Sequence, residues 1–289
     1  MKKVKHIIPA FDIDMGGIVL QQALPTNNVT QVDPFLLLHH GKIEFQAGIP
    51  ALQQGVGPHP HRGFTPVTFV IDGEIDHRDS RGNRQLAKTG EVQWIHSGSG
   101  IIHSERPSAE MAVNGGTTEI VQLWVNTPAK NKMKEASYQY VPRDEMKVVM
   151  SEDGKMISKL IAGDYNGLTS EIKTESELLI LWNVAEKESY QSFNIPKQFQ
   201  TSIYTVKGDI KIKGHGIVDP KSLVVFELNE KETIEITAHS DAQFLVLSGV
   251  PIDEKLAQYG PFVMNSQTEI MEALRDYQKG KMGILIEED

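Results

Sequence analysis

Short runs of β-branched and aromatic residues, separated by turn formers, set the pattern of this chain. Val67-Thr68-Phe69-Val70-Ile71, Val92-Gln93-Trp94-Ile95 and Ile120-Val121-Gln122-Leu123-Trp124-Val125 read as strands, because branched and ring side chains suit a pleated, half-buried surface. Gly, Asp and Asn punctuate them, as in Asp79-Ser80-Arg81-Gly82-Asn83, where such residues favour turns. The later half has the same texture in Leu178-Leu179-Ile180-Leu181-Trp182, Leu223-Val224-Val225-Phe226 and Gln243-Phe244-Leu245-Val246-Leu247. Regularly spaced short strands predict an all-β barrel or jelly roll.

The texture also repeats. Val70-Ile71-Asp72-Gly73-Glu74-Ile75-Asp76 matches Thr205-Val206-Lys207-Gly208-Asp209-Ile210-Lys211, and Val121-Gln122-Leu123-Trp124-Val125 matches Ala242-Gln243-Phe244-Leu245-Val246. The order and similar separation of the matches predict two like barrels in tandem. The first spans 1–130, a charged linker or crossover without clear alternation spans 131–155, and the second spans 156–289. One helix is expected near the C-terminus. Ser266 and Glu269 form a capping-box pattern, Gly280 is a plausible stop, and Ile270, Ala273, Leu274 and Tyr277 share one face. It reads as a helix packed on a barrel.

Composition narrows the function classes. A net charge of −9 without Lys/Arg clusters argues against nucleic acid and anionic membranes. Cysteine is absent, which excludes disulfides and thiolate ligands. No apolar run approaches the roughly 20 residues of a membrane helix. Met1-Lys2-Lys3-Val4-Lys5-His6 is followed by too short an apolar stretch for a signal peptide, so the expectation is a cytoplasmic protein. No phosphate loop or dinucleotide fingerprint is present.

Chemistry concentrates in His59-Pro60-His61 and His103-Ser104-Glu105. Residues two apart on a strand point to one face, so each pair can aim both side chains into one cavity. Three imidazoles and a carboxylate suit Fe, Mn, Ni, Cu or Zn and leave positions open for chemistry. Pro60 belongs on an edge or rim strand because it has no N–H to donate. The repeat fails here. The offsets that lead back from Gly73 to His59 and His61 lead from Gly208 to Asn194 and Pro196, and His215 and His239 sit in turns, so no second metal site is expected. His39 and His40 are adjacent and cannot both face one metal. His96 reads as structural or pocket-lining, His77 as a solvated strand end, Arg62 and Arg106 as ion-pair residues, and Trp94 and Trp124 as core.

The chain resembles the pirins, members of the cupin superfamily. The similarity lies in His59-Pro60-His61-Arg62-Gly63-Phe64, Gly73-Glu74-Ile75-Asp76-His77-Arg78-Asp79-Ser80, Gly90-Glu91-Val92-Gln93-Trp94, Gly98-Ser99-Gly100-Ile101-Ile102-His103-Ser104-Glu105 and Gln122-Leu123-Trp124-Val125-Asn126. Tyr259-Gly260-Pro261-Phe262-Val263-Met264-Asn265 is similar to the pirin C-terminal signature. The resemblance implies two tandem cupin barrels, with one iron (Fe2+) in the first held by His59, His61, His103 and Glu105. Other divalent transition metals also suit this donor set. Thr65-Pro66 stands where the family pattern commonly has an acid after Phe64, which puts the surroundings of the metal and the substrate preference in question.

Two functions follow from the resemblance. One is an iron-dependent dioxygenase of the quercetinase kind, which opens a flavonol ring with O2 and loss of carbon monoxide. Its substrate would be a flavonol or another enol- or catechol-like small molecule, and Glu105 would be both a ligand and a proton acceptor. The alternative is an iron-binding, redox-sensitive regulator acting through a protein partner rather than on nucleic acid. Turnover of a small molecule with O2 separates the two. A monomer is the expectation for a bicupin.

Overall fold

The computed structural model describes residues 1–229 and 231–288 and is built almost wholly from antiparallel strands. Contacts divide it into two compact units, each assembled from three stretches of chain. One comprises Asp14–Leu20, Leu38–Arg143 and the chain from Asp253 onward. The other comprises Met1–Ile13, Gln21–Leu37 and Asp144–Ile252. Contiguous halves joined by a linker at 131–155 do not coincide with these units. The expected linker is structured: Ser137–Val141 pairs with Val92–His96, and Lys147–Met150 pairs with Met156–Ala162. Ser137–Val141 lies at a sheet edge and is mostly half-exposed, so it lacks the alternation of a one-face-buried strand.

The unit containing the histidine pairs has a large and a small sheet. The large sheet of this unit runs in the order Ser137–Val141, Val92–His96, Phe64–Asp72, Gly116–Asn126 and Phe35–Phe45, most of which lies in this unit. The four-stranded sheet runs Val56–His61, Ile101–Arg106, Glu74–Asp79 and Arg84–Lys88. Val56–His61 is therefore an edge strand, as Pro58 and Pro60 require. A short helix, Ala109–Asn114, is capped by the Ser108 hydroxyl, which accepts from Met111 N. The helix near the C-terminus spans Gln267–Gln278, and Ser266 accepts from Glu269 N at 3.3 Å. Ile270 and Ala273 are its buried residues. It belongs to this unit and not, as the tandem reading had it, to the second barrel.

The other unit has the same plan. Its seven-stranded sheet centres on Gln200–Lys207, Ala242–Gly249 and Leu178–Ala185. Its four-stranded sheet runs Tyr190–Asn194, Thr233–Ala238, Ile210–Ile212 and Gly216–Val218. The sequence echo maps onto this symmetry. Gly73 and Gly208 each turn the chain from a central strand of the large sheet into the small one, at φ +78° and +66°. The second matched segments, in Gly116–Asn126 and Ala242–Gly249, pair with those central strands.

The interiors differ. In the second unit Phe193, Ile195, Ile210, Ile212, Ile234, Ile236 and Phe244 belong to one apolar cluster. Asn194 and Pro196, the counterparts of His59 and His61 by offset from the glycine, are exposed while Phe193 and Ile195 are buried. No helix among the described residues is long and apolar enough to cross a membrane.

Gly73 is held by a close approach as well as by its backbone angle. A Cβ there would lie 2.3 Å from the Thr117 carbonyl oxygen. Gly73→Ala should cost about 2–3 kcal/mol through the left-handed backbone and this clash, read as a lower urea midpoint with an unchanged slope.

Candidate metal centre

The site is built on one antiparallel pairing. Ile101–Arg106 lies between Val56–His61 and Glu74–Asp79, with His103 opposite His59 on one side and opposite Asp79 on the other. Directly opposed residues share a face and stand about 4.5–5.5 Å apart at Cβ. His61 is two residues from His59 and points the same way. One ligand atom from each of His59, His61 and His103 falls within a group spanning 4.8 Å. The ring centroids are 4.2 Å apart for His59–His103, 4.8 Å for His59–His61 and 4.9 Å for His61–His103. Among the described residues, this is the group of His, Asp and Glu side chains that converges as a metal site would require.

The donors are in the state a cation needs. His61 and His103 are pushed well below the usual imidazole range, first by burial and then by neighbouring histidines: His59 for His61, and His59, His61 and His77 for His103. The Pro261 carbonyl opposes this at His61. Both rings are therefore neutral. The Nε2 atoms of His61 and His103 are buried without a hydrogen-bond partner, which is costly in an empty interior and satisfied by coordination. At His59 the Nδ1–H donates to the Gly57 carbonyl at 2.8 Å, and this leaves its Nε2 lone pair free. Three imidazoles can thus hold a metal ion, and a borderline divalent cation fits them.

Glu105 stands beside this group rather than in it. It shares the strand face of His103, but the pairing with Val56–His61 shifts register between His103 and Glu105. The bulge lies in the segment carrying Gly57 and Pro58, since the other side of the strand pairs regularly. The buried Glu105 carboxylate accepts from Thr68 Oγ1 at 3.4 Å and Gln122 Nε2 at 3.5 Å, both long and weak bonds.

Other histidines fall into place around the centre. His39 and His40 are both buried in Phe35–Phe45 and are not part of the cluster. Burial pulls His39 down to about 4, and His40 Nε2 lies 2.8 Å from Glu119 Oε1. His96 is buried at the end of Val92–His96. His77 corrects the expectation of a solvated strand end, because its side chain is fully buried and contacts both Asp79 and His103. The polar run around it misled the reading. Alternate residues of Glu74–Asp79 face opposite ways, so Asp76 and Arg78 pair on the outer face while His77 and Asp79 point in.

Trp94 is core, but Trp124 is only half-buried. It stands with Phe64 against His61, at ring distances of 5.6 Å from His61 for Trp124, 5.1 Å from His61 for Phe64, and 4.2 Å between the two. These two rings form an aromatic wall on one side of the ligands. No periodicity argument distinguishes a wall residue from a core residue, since both alternate inward.

The chain from Asp253 onward props the ligand strand. Arg62 N donates to the Pro261 carbonyl and Val263 N to the Arg62 carbonyl, at 3.4 and 3.0 Å. A Cβ on Gly63 would sit 2.0 Å from the Val263 oxygen. The Arg62 guanidinium donates to the Ser99 carbonyl at 2.7 Å and to Asp276 at 3.1 and 3.2 Å. Arg106 makes a two-pronged pair with Glu287. Both arginines are structural ion-pair residues, as expected. Lys132, in the supposed linker, is fully buried. Its ammonium donates to the Gly63 carbonyl, Asn126 Oδ1 and the Val263 carbonyl at 2.7, 2.8 and 2.9 Å. Burial draws its pKa down to about 8, opposed by Glu254 and Glu269.

The pirin family model matches residues 17–125, and the model of the pirin C-terminal cupin domain matches 182–283. The chain belongs to the pirin family. A Pseudomonas aeruginosa protein provisionally named quercetin 2,3-dioxygenase is 38% identical, over 92% of each chain. Pirin-1 of Arabidopsis thaliana is 32% identical over 97% of this chain and 94% of its own length. The crystal structure of a quercetin 2,3-dioxygenase from Acinetobacter baumannii superimposes with a TM-score of 0.91 at 33% identity, covering 99% of this chain and all of that one. The pirin C-terminal motif Tyr259–Asn265 therefore lies in the compact unit of the histidine centre, although the model that contains it is named for the other barrel.

Lys132→Met should strand three buried oxygens and destabilise this pirin by about 2–4 kcal/mol. Hydrogen exchange at the Val263 amide should accelerate more than in the strands of the second unit. Equal protection of Val263 in both proteins would remove Lys132 as the prop.

Proposed function

We propose that this pirin is an iron-dependent dioxygenase of the quercetin 2,3-dioxygenase type, with His59, His61, His103 and Glu105 as the ligand set. The convergence of three histidines, two of them with buried and unpartnered Nε2 atoms, beside the Phe64–Trp124 wall carries the reading. Iron held there supplies Lewis acidity toward an enolic or catecholic hydroxyl and a meeting point for substrate and O2. The paired rings of Phe64 and Trp124 offer a flat apolar surface on which a planar polyphenol can stack. Burial of His61 and His103 keeps competing protons off the nitrogens that bind. Glu105, the fourth ligand in this proposal, is tied only by long bonds to Thr68 and Gln122, so its carboxylate can turn toward a substrate hydroxyl and take its proton.

Support comes from the relatives named quercetin 2,3-dioxygenase that align over nearly the whole chain. The fold and ligands of this superfamily serve many reactions, so the substrate has to be found by turnover. The iron-loaded pirin should consume O2 with quercetin. His61→Ala should lose most bound iron and all uptake while remaining folded, whereas His239→Ala should keep both. Absence of uptake from protein shown to hold iron would sink the flavonol reading and leave the metal centre intact. Full iron retention by His61→Ala would sink the ligand assignment.

A further inference from the structure

Beyond the ligands themselves, the centre contains a buried chain of groups that ends on a ligand histidine. Antiparallel pairing sets Asp79 opposite His103 and His77 opposite Glu105, which puts His77 and Asp79 on the face of the metal ligands. His77 Nδ1 is 3.4 Å from His103 Nδ1, and His77 Nε2 is 3.2 Å from Asp79 Oδ2. The His77 ring is fixed in orientation by stacking on Tyr138, with centroids 4.5 Å apart and planes 17° from parallel. We propose that His77 and Asp79 are positioning residues that hold His103 in the tautomer presenting Nε2 to the metal. This rests on the metal reading of the three histidines.

The hydrogens can be placed one at a time. Asp79 is surrounded by donors: Arg81 N and Asn83 N donate to Oδ1 at 2.8 and 3.1 Å, and Asn83 Nδ2 donates to Oδ2 at 2.8 Å. Each of these contacts brings a hydrogen to the carboxylate, so Asp79 is the acceptor toward His77 as well. An ionised carboxylate has no hydrogen to give. The hydrogen between Asp79 and His77 therefore sits on His77 Nε2, which leaves Nδ1 of the imidazole as the acceptor toward His103. The contact between the two Nδ1 atoms then needs its hydrogen from His103. With Nδ1 protonated, His103 has its remaining lone pair on Nε2, the buried atom without a partner. The Gly57 carbonyl performs the same service for His59. His59 and His103 thus each have a local acceptor that aims Nε2 at the centre, as outer partners do for metal-bound histidines.

Two substitutions at His77 separate this role from simple packing. Phenylalanine keeps a ring against Tyr138 but offers no acceptor. Asparagine loses the ring but places Oδ1 near the position of Nδ1. Nickel(II) affinity of the full chain, measured by chelator competition, should fall about 10–100-fold in His77→Phe and stay within about 3-fold of the parent in His77→Asn. Thermal stability should rank the other way, with His77→Asn the weaker. Nitrogen-15 NMR of the metal-free protein should show His103 protonated at Nδ1, and a shift toward Nε2 protonation in His77→Phe. Parent-like nickel affinity in His77→Phe, weaker binding in His77→Asn than in His77→Phe, or an Nε2–H His103 in the parent would each overturn the proposal. A parent that takes up no nickel would instead remove the metal reading, and the NMR measurement would still decide the tautomer.

Discussion

The antiparallel pairing that sets His103 opposite His59 is the constraint on which the rest of the centre depends. Register on a strand is all or nothing, because a slip of one residue turns every side chain to the other face. Here one register aligns His59 with His103, brings His61 in two residues along, and lays His77 and Asp79 against His103 from the far side. The inner face of the small sheet consequently carries buried histidines and carboxylates. Asp76 and Arg78 find each other on the outer one.

Such a pairing is weak on its own, since Val56–His61 is an edge strand carrying two prolines and proline cannot contribute to the ladder. The structure compensates with buried polar contacts at the end of that strand. Arg62 reaches the loop before the second ligand pair through Ser99 and the C-terminal helix through Asp276. Lys132 joins Gly63 to Val263 with donors it could not spare without leaving oxygens unpaired. Removing one partner of such a network costs more than the bond itself contributes. The last stretch of chain is therefore part of the centre's framework, and this gives a physical reason for the motif from Tyr259 to Asn265.

The second barrel shows what the same plan becomes without a ligand set. It too pairs a large sheet with a four-stranded one, and its glycine turn occupies the same place, yet Phe193, Ile234 and Ile236 fill the interior. On the strand that corresponds to His59–His61, the residues pointing inward are Phe193 and Ile195. An interior of that kind holds its fold by apolar burial and close packing. The histidine barrel gives up part of that for a buried polar cluster and relies on the network around Arg62 and Lys132.

Local physics made much of this legible from residues alone. The i, i+2 spacing of His59 with His61 and of His103 with Glu105 needed only the strand period, the turns at Gly73 and Gly208 only their repeated pattern, and the helix start at Ser266 only its capping residues. Whatever depends on which strands neighbour each other was decided by the tertiary structure. His77 looked solvated because its sequence neighbours are charged, while the pairing with Ile101–Arg106 buries it. Trp124 looked like core because inward-facing positions share one period whether they meet other side chains or a ligand cavity. Lys132 lay in a segment with no periodicity, and only the convergence of Gly63, Asn126 and Val263 gives its ammonium three acceptors. The assignment of the C-terminal helix to the histidine barrel follows from contacts between residues far apart in the chain, the Arg62–Asp276 ion pair among them. Sequence carries the period of each element, and long-range pairing chooses what each face will meet.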